Sequence, residues 1–406
     1  MSPVLPFDIT ALIIDVVGEN EDTDLLKELA LVSHSFLHIC SKHLFAAIEL
    51  DDAYPFSKRG FVKLLKSRPE VVKYIRKLSY KLGDNDPSFV DGDRLPSSML
   101  PNFLRSIPHL NCLIITTSGS IWTLDWKRLD SSLTPALLHL MHLPTINRID
   151  LSYIENFPLS SFIPCVNLLR LDIFYLIHAH EVDGDTFEIV LSEVIPKLRE
   201  FSTIGSSLLT MKLLHSKMQD GRPAFNPMNL RRLTLYLGDF EDNSSIRYLL
   251  QNAKSLEELR LPDGLGQCIV GLHDILSPTA CTLKVLHLTM PFHSYVSVSL
   301  PIQLCEELEA MAGHNVLEAL TFEFEIGDSN SREDCIGTII PKLGEVLVKP
   351  GWSALRQVFF KVACLTMDSA ILKALQSPTI EKLLSHFSEL GSVAFNYSVN
   401  GLVFPF

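Results

Sequence analysis

At 406 residues the chain has room for two ordinary domains, or for one small domain followed by a repeat array. Its 47% hydrophobic and 20% charged residues exclude a disordered chain and supply ample material for a core. The net charge of −12 argues against a general binder of nucleic acid or anionic membranes, and no such partner is expected.

The eight cysteines are scattered, with no C-x-x-C pair, so neither a zinc ribbon nor a dense disulfide framework is expected. Cys112, Cys165 and Cys305 lie in apolar stretches and read as free thiols of a reducing compartment. The opening Met1-Ser2-Pro3-Val4-Leu5-Pro6 lacks a basic segment and a long apolar one, and no apolar run reaches membrane-spanning length. The expectation is a cytoplasmic or nuclear protein.

Residues 1–45 read as a small helical domain. Ile9, Leu12, Ile13, Val16 and Val17 have helical spacing, with Pro6 suited to a helix start and Gly18 to a helix end. The acidic run from Glu19 to Asp24 caps a second helix carrying Leu25, Leu26, Leu29 and Val32. Ser33 caps a third with Phe36, Leu37, Cys40 and Leu44. A core of three short helices is small, so such a head is expected to bury a remaining apolar face on something else.

Leu5-Pro6-Phe7-Asp8-Ile9 with Leu12-Ile13, then Asp24-Leu25-Leu26, then Leu29-Ala30-Leu31-Val32-Ser33-His34-Ser35-Phe36, resembles an F-box. The likeness is greatest to the fungal F-box-like variant that precedes leucine-rich repeats. Phe36 stands where many F-boxes have Trp, and Phe7 replaces the common second Pro or small residue. The resemblance implies docking on a Skp-family adaptor of a cullin-based ubiquitin ligase. The implied adaptor-facing residues are Leu5, Pro6, Ile9, Ile13, Leu26, Leu31 and Val32. The alternative is a cap that only closes the end of a repeat array.

From residue 46 to 406 a three-point signature recurs, with apolar residues at offsets 0, 3 and 5. Its template is Leu230, Leu233 and Leu235. Copies begin at Leu110, Ile146, Leu168, Leu198 (degraded, with Thr203), Leu256, Leu283, Leu317, Leu355 and Leu390, and two earlier ones at Phe45 and Ile75. From Leu110 to Leu390 is 280 residues in nine steps, a mean near 31, with steps from 22 to 38. The last two apolar points alternate as one face of a strand does. Helically spaced residues such as Leu133, Leu137 and Met141, or Leu304, Leu308 and Met311, precede the strands. This pattern predicts an α/β solenoid of about eleven irregular units. It is a leucine-rich-repeat horseshoe with a parallel sheet on the concave face and helices outside. Two polar stretches, Asp84–Pro96 and Gly205–Pro227, read as exposed loops.

No hydrolase, metalloprotease, P-loop or dinucleotide motif occurs, so no catalytic residue and no cofactor is expected. His178, His180, Glu181, Asp183 and Asp185 have metal-ligand chemistry, but no second cluster matches them and they read as a polar loop. An enzyme with a site on loops 84–96 or 178–185 is the least favoured reading. Strand alternation sends Lys77, Arg148, Asp150, Arg170, Asp172, Phe174, Arg232, Thr234, Tyr236, Glu258, Arg260 and His287 outward. A mixed-charge, aromatic-sprinkled stripe suits a protein partner. The expected function is therefore substrate recognition in a ubiquitin ligase, or failing that a repeat scaffold without a ubiquitin role.

Overall fold

A computed structural model describes residues 7–20, 22–83, 99–118, 123–177, 196–216, 223, 225–236, 243–262, 271–292, 300–326, 333–364, 384–389 and 393–401. The chain forms two compact units. The first is Met1–Lys197 with Lys217–Ala224, and the second is Leu198–Ser216 with Phe225–Phe406.

The first unit opens with three helices, α1 (Phe7–Glu19), α2 (Thr23–Ala30) and α3 (His34–Leu44). Asp22 accepts a hydrogen bond from the Leu25 amide and Ser33 from that of Phe36, as their positions before the helices predict. Gly18 differs from expectation, because α1 runs through it to Glu19. A Cβ at this position would overlap the His43 ring of α3, so the glycine serves close helix packing rather than helix termination. Ile14, Leu26, Ile39 and Cys40 form the small core.

Five parallel strands follow in the same unit, namely β1 (Ala47–Asp51), β2 (Lys77–Leu82), β3 (Cys112–Thr117), β5 (Arg148–Ser152) and β7 (Arg170–Phe174). Their register sets Ile48, Leu78, Leu113, Ile149 and Leu171 side by side, and likewise Leu50, Tyr80, Ile115, Leu151 and Ile173. Those are the second and third points of each predicted triplet. The first points, Ile75, Leu110, Ile146 and Leu168, are buried just ahead of the strands. The crossovers carry α4 (Pro55–Ser67), α5 (Met99–Arg105) and α6 (Leu133–Met141). The shortest rung spacing, 22 residues, leaves a crossover with a 3-10 turn, Leu159–Phe162, in place of a full helix. A short second ladder pairs β4 (Leu124–Asp125) with β6 (Ile154–Glu155).

The second unit has seven parallel strands: β8 (Glu200–Ile204), β9 (Arg232–Leu235), β10 (Glu258–Leu261), β11 (Val285–Phe292), β12 (Ala319–Ile326), β13 (Gln357–Cys364) and β14 (Ala394–Gly401). Phe201, Leu233, Leu259, Leu286, Leu320, Val358 and Phe395 form one inner row. Phe322, Phe360 and Phe395 stack nearly parallel, at 5.4 and 6.3 Å between neighbouring ring centroids. Helices α8 (Asn243–Asn252), α9 (Leu272–Leu276), α10 (Leu300–Met311) and α11 (Glu333–Leu347) lie in the crossovers.

Two expectations are corrected here. The Gly205–Pro227 stretch contains a helix, α7 (Ser207–His215), whose Leu209, Leu213 and Leu214 are buried. Its buried Thr210 hydroxyl meets that of Thr203 at 2.9 Å, which satisfies the polar residue at the inner point of the degraded triplet. In the last rung Phe395, not Val393, stands opposite Val358, and Tyr397 opposite Phe360. The slip is two residues, so the faces are preserved even though the triplet is displaced. Among the described residues the two units are thus leucine-rich-repeat stacks of the α/β solenoid class. The other predicted loop, Asp84–Pro96, lies outside the described residues, as does Leu390.

Candidate functional site

Helix α1 is apolar on two faces. One face carries Ile14 with Ala11 and Val17, packed into the head core. The other leaves Ile9, Leu12, Ile13 and Val16 exposed, and elsewhere on the head Phe7, Leu25, Leu31 and Val32 are exposed as well. Leu31 is 87% exposed. A helix with apolar residues on two faces expects cover on both. Full burial of a single Leu or Ile side chain contributes about 1.5–3 kcal/mol, so eight such side chains are a large unclaimed driving force. Asp15 ties α1 to α3 by meeting Lys42 at 2.6 Å and His43 at 2.7 Å. Hydrogen bonds from Lys42 and then His43 hold its carboxyl below the usual range.

Of the adaptor-facing residues inferred from resemblance, Ile9, Ile13, Leu31 and Val32 share this exposed apolar set. Leu26 does not. At 3% exposed it is part of the head core, because its position on α2 turns it towards Ile14 and Ile39. Leu5 and Pro6 lie outside the described residues. Phe7, Leu12 and Val16 were not singled out, although the helical spacing that placed Ile9 and Ile13 contains Leu12 and Val16 as well.

The outward sheet face of the first unit is an ionic lattice. Arg148 donates to both oxygens of Asp150, at 3.0 and 2.7 Å, and approaches Asp172 at 3.4 Å. Arg170 donates to Asp172 at 2.7 Å. Asp150 and Asp172 point outward in the strand sense but are buried beneath the half-buried guanidinium groups. Burial, and then the hydrogen bond with Asp150, push the Asp172 carboxyl up to about 6, against the pull of Arg170. Phe174 is half-buried at the strand end.

Beyond that lattice the chain turns in an unusual way. Tyr153 and Tyr175 have φ of 59° and 48°, the left-handed region that a bulky side chain seldom occupies. Their rings stack at 5.2 Å with a 12° interplanar angle. Each sits five residues after the arginine of its strand, so Arg-x-Asp-x-x-Tyr occurs twice at the same register. That repeated motif was visible in the sequence and was passed over, because Tyr153 and Tyr175 lie past the alternating stretch.

On the second unit's face Arg232 meets Glu200 at 2.8 Å and Glu258 at 3.5 Å, and Arg260 meets Glu258 at 2.7 Å. Tyr236 follows at the end of its strand and is half-buried. His287, expected to stand alone, comes within 3.6 Å of Glu258, and burial chiefly lowers its pKa. A cavity of about 270 Å³ on the helix side of this unit is lined mainly by apolar groups, among them Leu276, Met311 and Leu317, with His273 and His314. The Asn315 amide there is already engaged by the Met311 carbonyl and the Leu317 amide.

Among the described residues no group of three His, Cys, Asp or Glu is placed to hold a metal ion. The His178–Asp185 cluster lies outside them. Cys40, Cys112, Cys165, Cys281 and Cys305 are free thiols. Among the described residues no helix is long and apolar enough to cross a membrane.

No protein-family model matches the chain, and no curated protein matches it. Among solved structures it is similar to the leucine-rich repeat-containing protein LegL7 from Legionella pneumophila. Identity is 14%, coverage is 76% of this chain and 88% of that one, and the TM-score is 0.39. A likeness at that score carries no argument, and the fold assignment rests on the rung-by-rung register.

Proposed function

We propose that this chain is a substrate receptor of a cullin-type ubiquitin ligase. In this reading the head docks a Skp-family adaptor and the repeats hold a protein target. The observation that supports it most is the second apolar face of α1, with Leu31 and Val32 exposed on the same small head, on residues that resemble an F-box. Such a protein catalyses nothing itself. It raises the effective concentration of a target near the ligase.

A reading without a ubiquitin role, in which the chain is a repeat scaffold for protein interaction, has one observation in its favour. The head falls in the same compact unit as the first five rungs, as an end cap would. Co-purification of the full chain with a Skp-family adaptor separates the two. The receptor reading expects capture by the wild type and loss of capture in a Leu5→Asp, Ile9→Asp variant whose thermal unfolding is otherwise unchanged. Absence of capture by the wild type, or retention by the variant, overturns it in favour of the scaffold.

A further inference from the structure

We infer that Tyr153 and Tyr175 form an aromatic platform that receives an arginine side chain of the partner protein held by the repeats. The inference deepens the receptor reading and rests on its claim that the repeats bind a protein. Both rings stand on left-handed backbone that a bulky L-residue seldom adopts, so their shared orientation is maintained against a local preference. They are stacked on one another, yet 38% and 44% exposed. An exposed π face attracts cations, and a planar guanidinium covers it better than an ammonium.

Charge selects the same occupant. The short ladder that continues from Tyr153 sets Asp125 opposite Glu155. Glu155 accepts from the Thr123 hydroxyl, and Asp125 accepts from Asn156 at 3.0 Å. That bond from Asn156 is the largest influence holding the Asp125 carboxyl below its usual range. Arg128 offsets Asp125 only loosely, at 3.6 Å and with an exposed side chain. At the other end of the strands Arg148 and Arg170 are already bound to Asp150 and Asp172, which removes most of their repulsion for an incoming cation. The chain as a whole carries −12, which favours a basic partner segment.

The test uses the full chain labelled with 3-fluorotyrosine and four peptides, acetyl-Gly-Gly-X-Gly-Gly-amide with X as arginine, lysine, norleucine or glutamate. The two resonances are assigned with Tyr153→Phe and Tyr175→Phe, which keep the π face. The arginine peptide should shift both resonances saturably, lysine less, norleucine little and glutamate not at all. Glu155→Gln, which keeps its acceptor for Thr123, should weaken arginine binding about three- to ten-fold, as loss of one charge partner of a partly desolvated cation does. Norleucine matching arginine, or no shift with any peptide, overturns the platform. Adaptor capture by the wild type is measured alongside. Capture without arginine selectivity condemns the platform alone, and arginine selectivity without capture condemns only the adaptor reading.

Discussion

Asp150 and Asp172 stand opposite each other in adjacent parallel strands, bridged by Arg148 and buried under Arg148 and Arg170. Two carboxyl groups so placed cannot both ionise without cost, even with two guanidinium partners. The lattice therefore links the stability of the first unit to protons.

The sign follows from the direction of the shift. The folded-state value of Asp172 is raised to about 6, above the unfolded value near 3.9. Its contribution is complete below the unfolded value and is lost as pH rises through about 6. Asp15 is the opposite case, since its lowered pKa gives stability present above the ordinary carboxylate range and lost as pH falls. Urea unfolding of the wild type and of Asp172→Asn, compared between about pH 5 and 7.5, isolates the first effect. The stability difference, wild type minus variant, should decline across that interval. A flat or rising difference would show that the carboxyl group is ionised throughout.

The head separates residues that hold it together from residues it offers outward. Leu26→Ala should cost about 2–5 kcal/mol, because the side chain leaves a cavity among Ile14, Ile39 and Cys40. Ile9→Ala, on the exposed row of α1, should change stability by about 0.5 kcal/mol or less. Equal losses in chemical denaturation would mean that the outer row is covered from within the chain.

Gly18→Ala is a sharper probe of the same helices. Alanine favours a helix interior by about 1 kcal/mol over glycine, yet here its methyl group meets the His43 ring. Overpacking of this kind costs about 1–3 kcal/mol, so a net loss is expected. Thermal unfolding showing a gain would place His43 elsewhere.

In the second unit, Leu259→Ala should destabilise by about 2–5 kcal/mol, since Leu259 lies fully buried between Leu233 and Leu286. Arg260→Ala, one residue on and facing outward, should stay within about 0.5–1 kcal/mol, the value of an exposed ion pair. A reversal of that order would remove the inner row as the source of stability.

Much of the repeat architecture was legible because strand alternation is a rigid rule. Once Leu230, Leu233 and Leu235 are placed, the faces of every residue between them follow, and the register agrees from β1 to β7 and from β8 to β13. Where the reading slipped, two local features outweighed pattern. Apolar residues both before and inside β14 allowed a two-residue displacement that alternation cannot detect. A glycine and proline bracket hid α7, whose register depends on the pairing of Thr203 with Thr210. The site was less legible than the fold. Alternation says which way Asp150 and Asp172 point but not that flanking guanidinium groups bury them. It gives no access to Tyr153 and Tyr175, whose left-handed backbone ends the alternation just where they matter. On α1 the sequence shows apolar residues on both sides, and only the packing of Ile14 decides which side is spare.

The successive rungs differ in spacing from 22 to 38 residues while their inner rows keep step. Neighbours therefore keep step through the inner rows, while the crossovers add buried side chains of their own, such as Leu137 of α6 and Leu249 of α8. Such a molecule can acquire a new binding surface by lengthening a connector, with its stability left to the rows beneath, so recognition and folding are free to change separately.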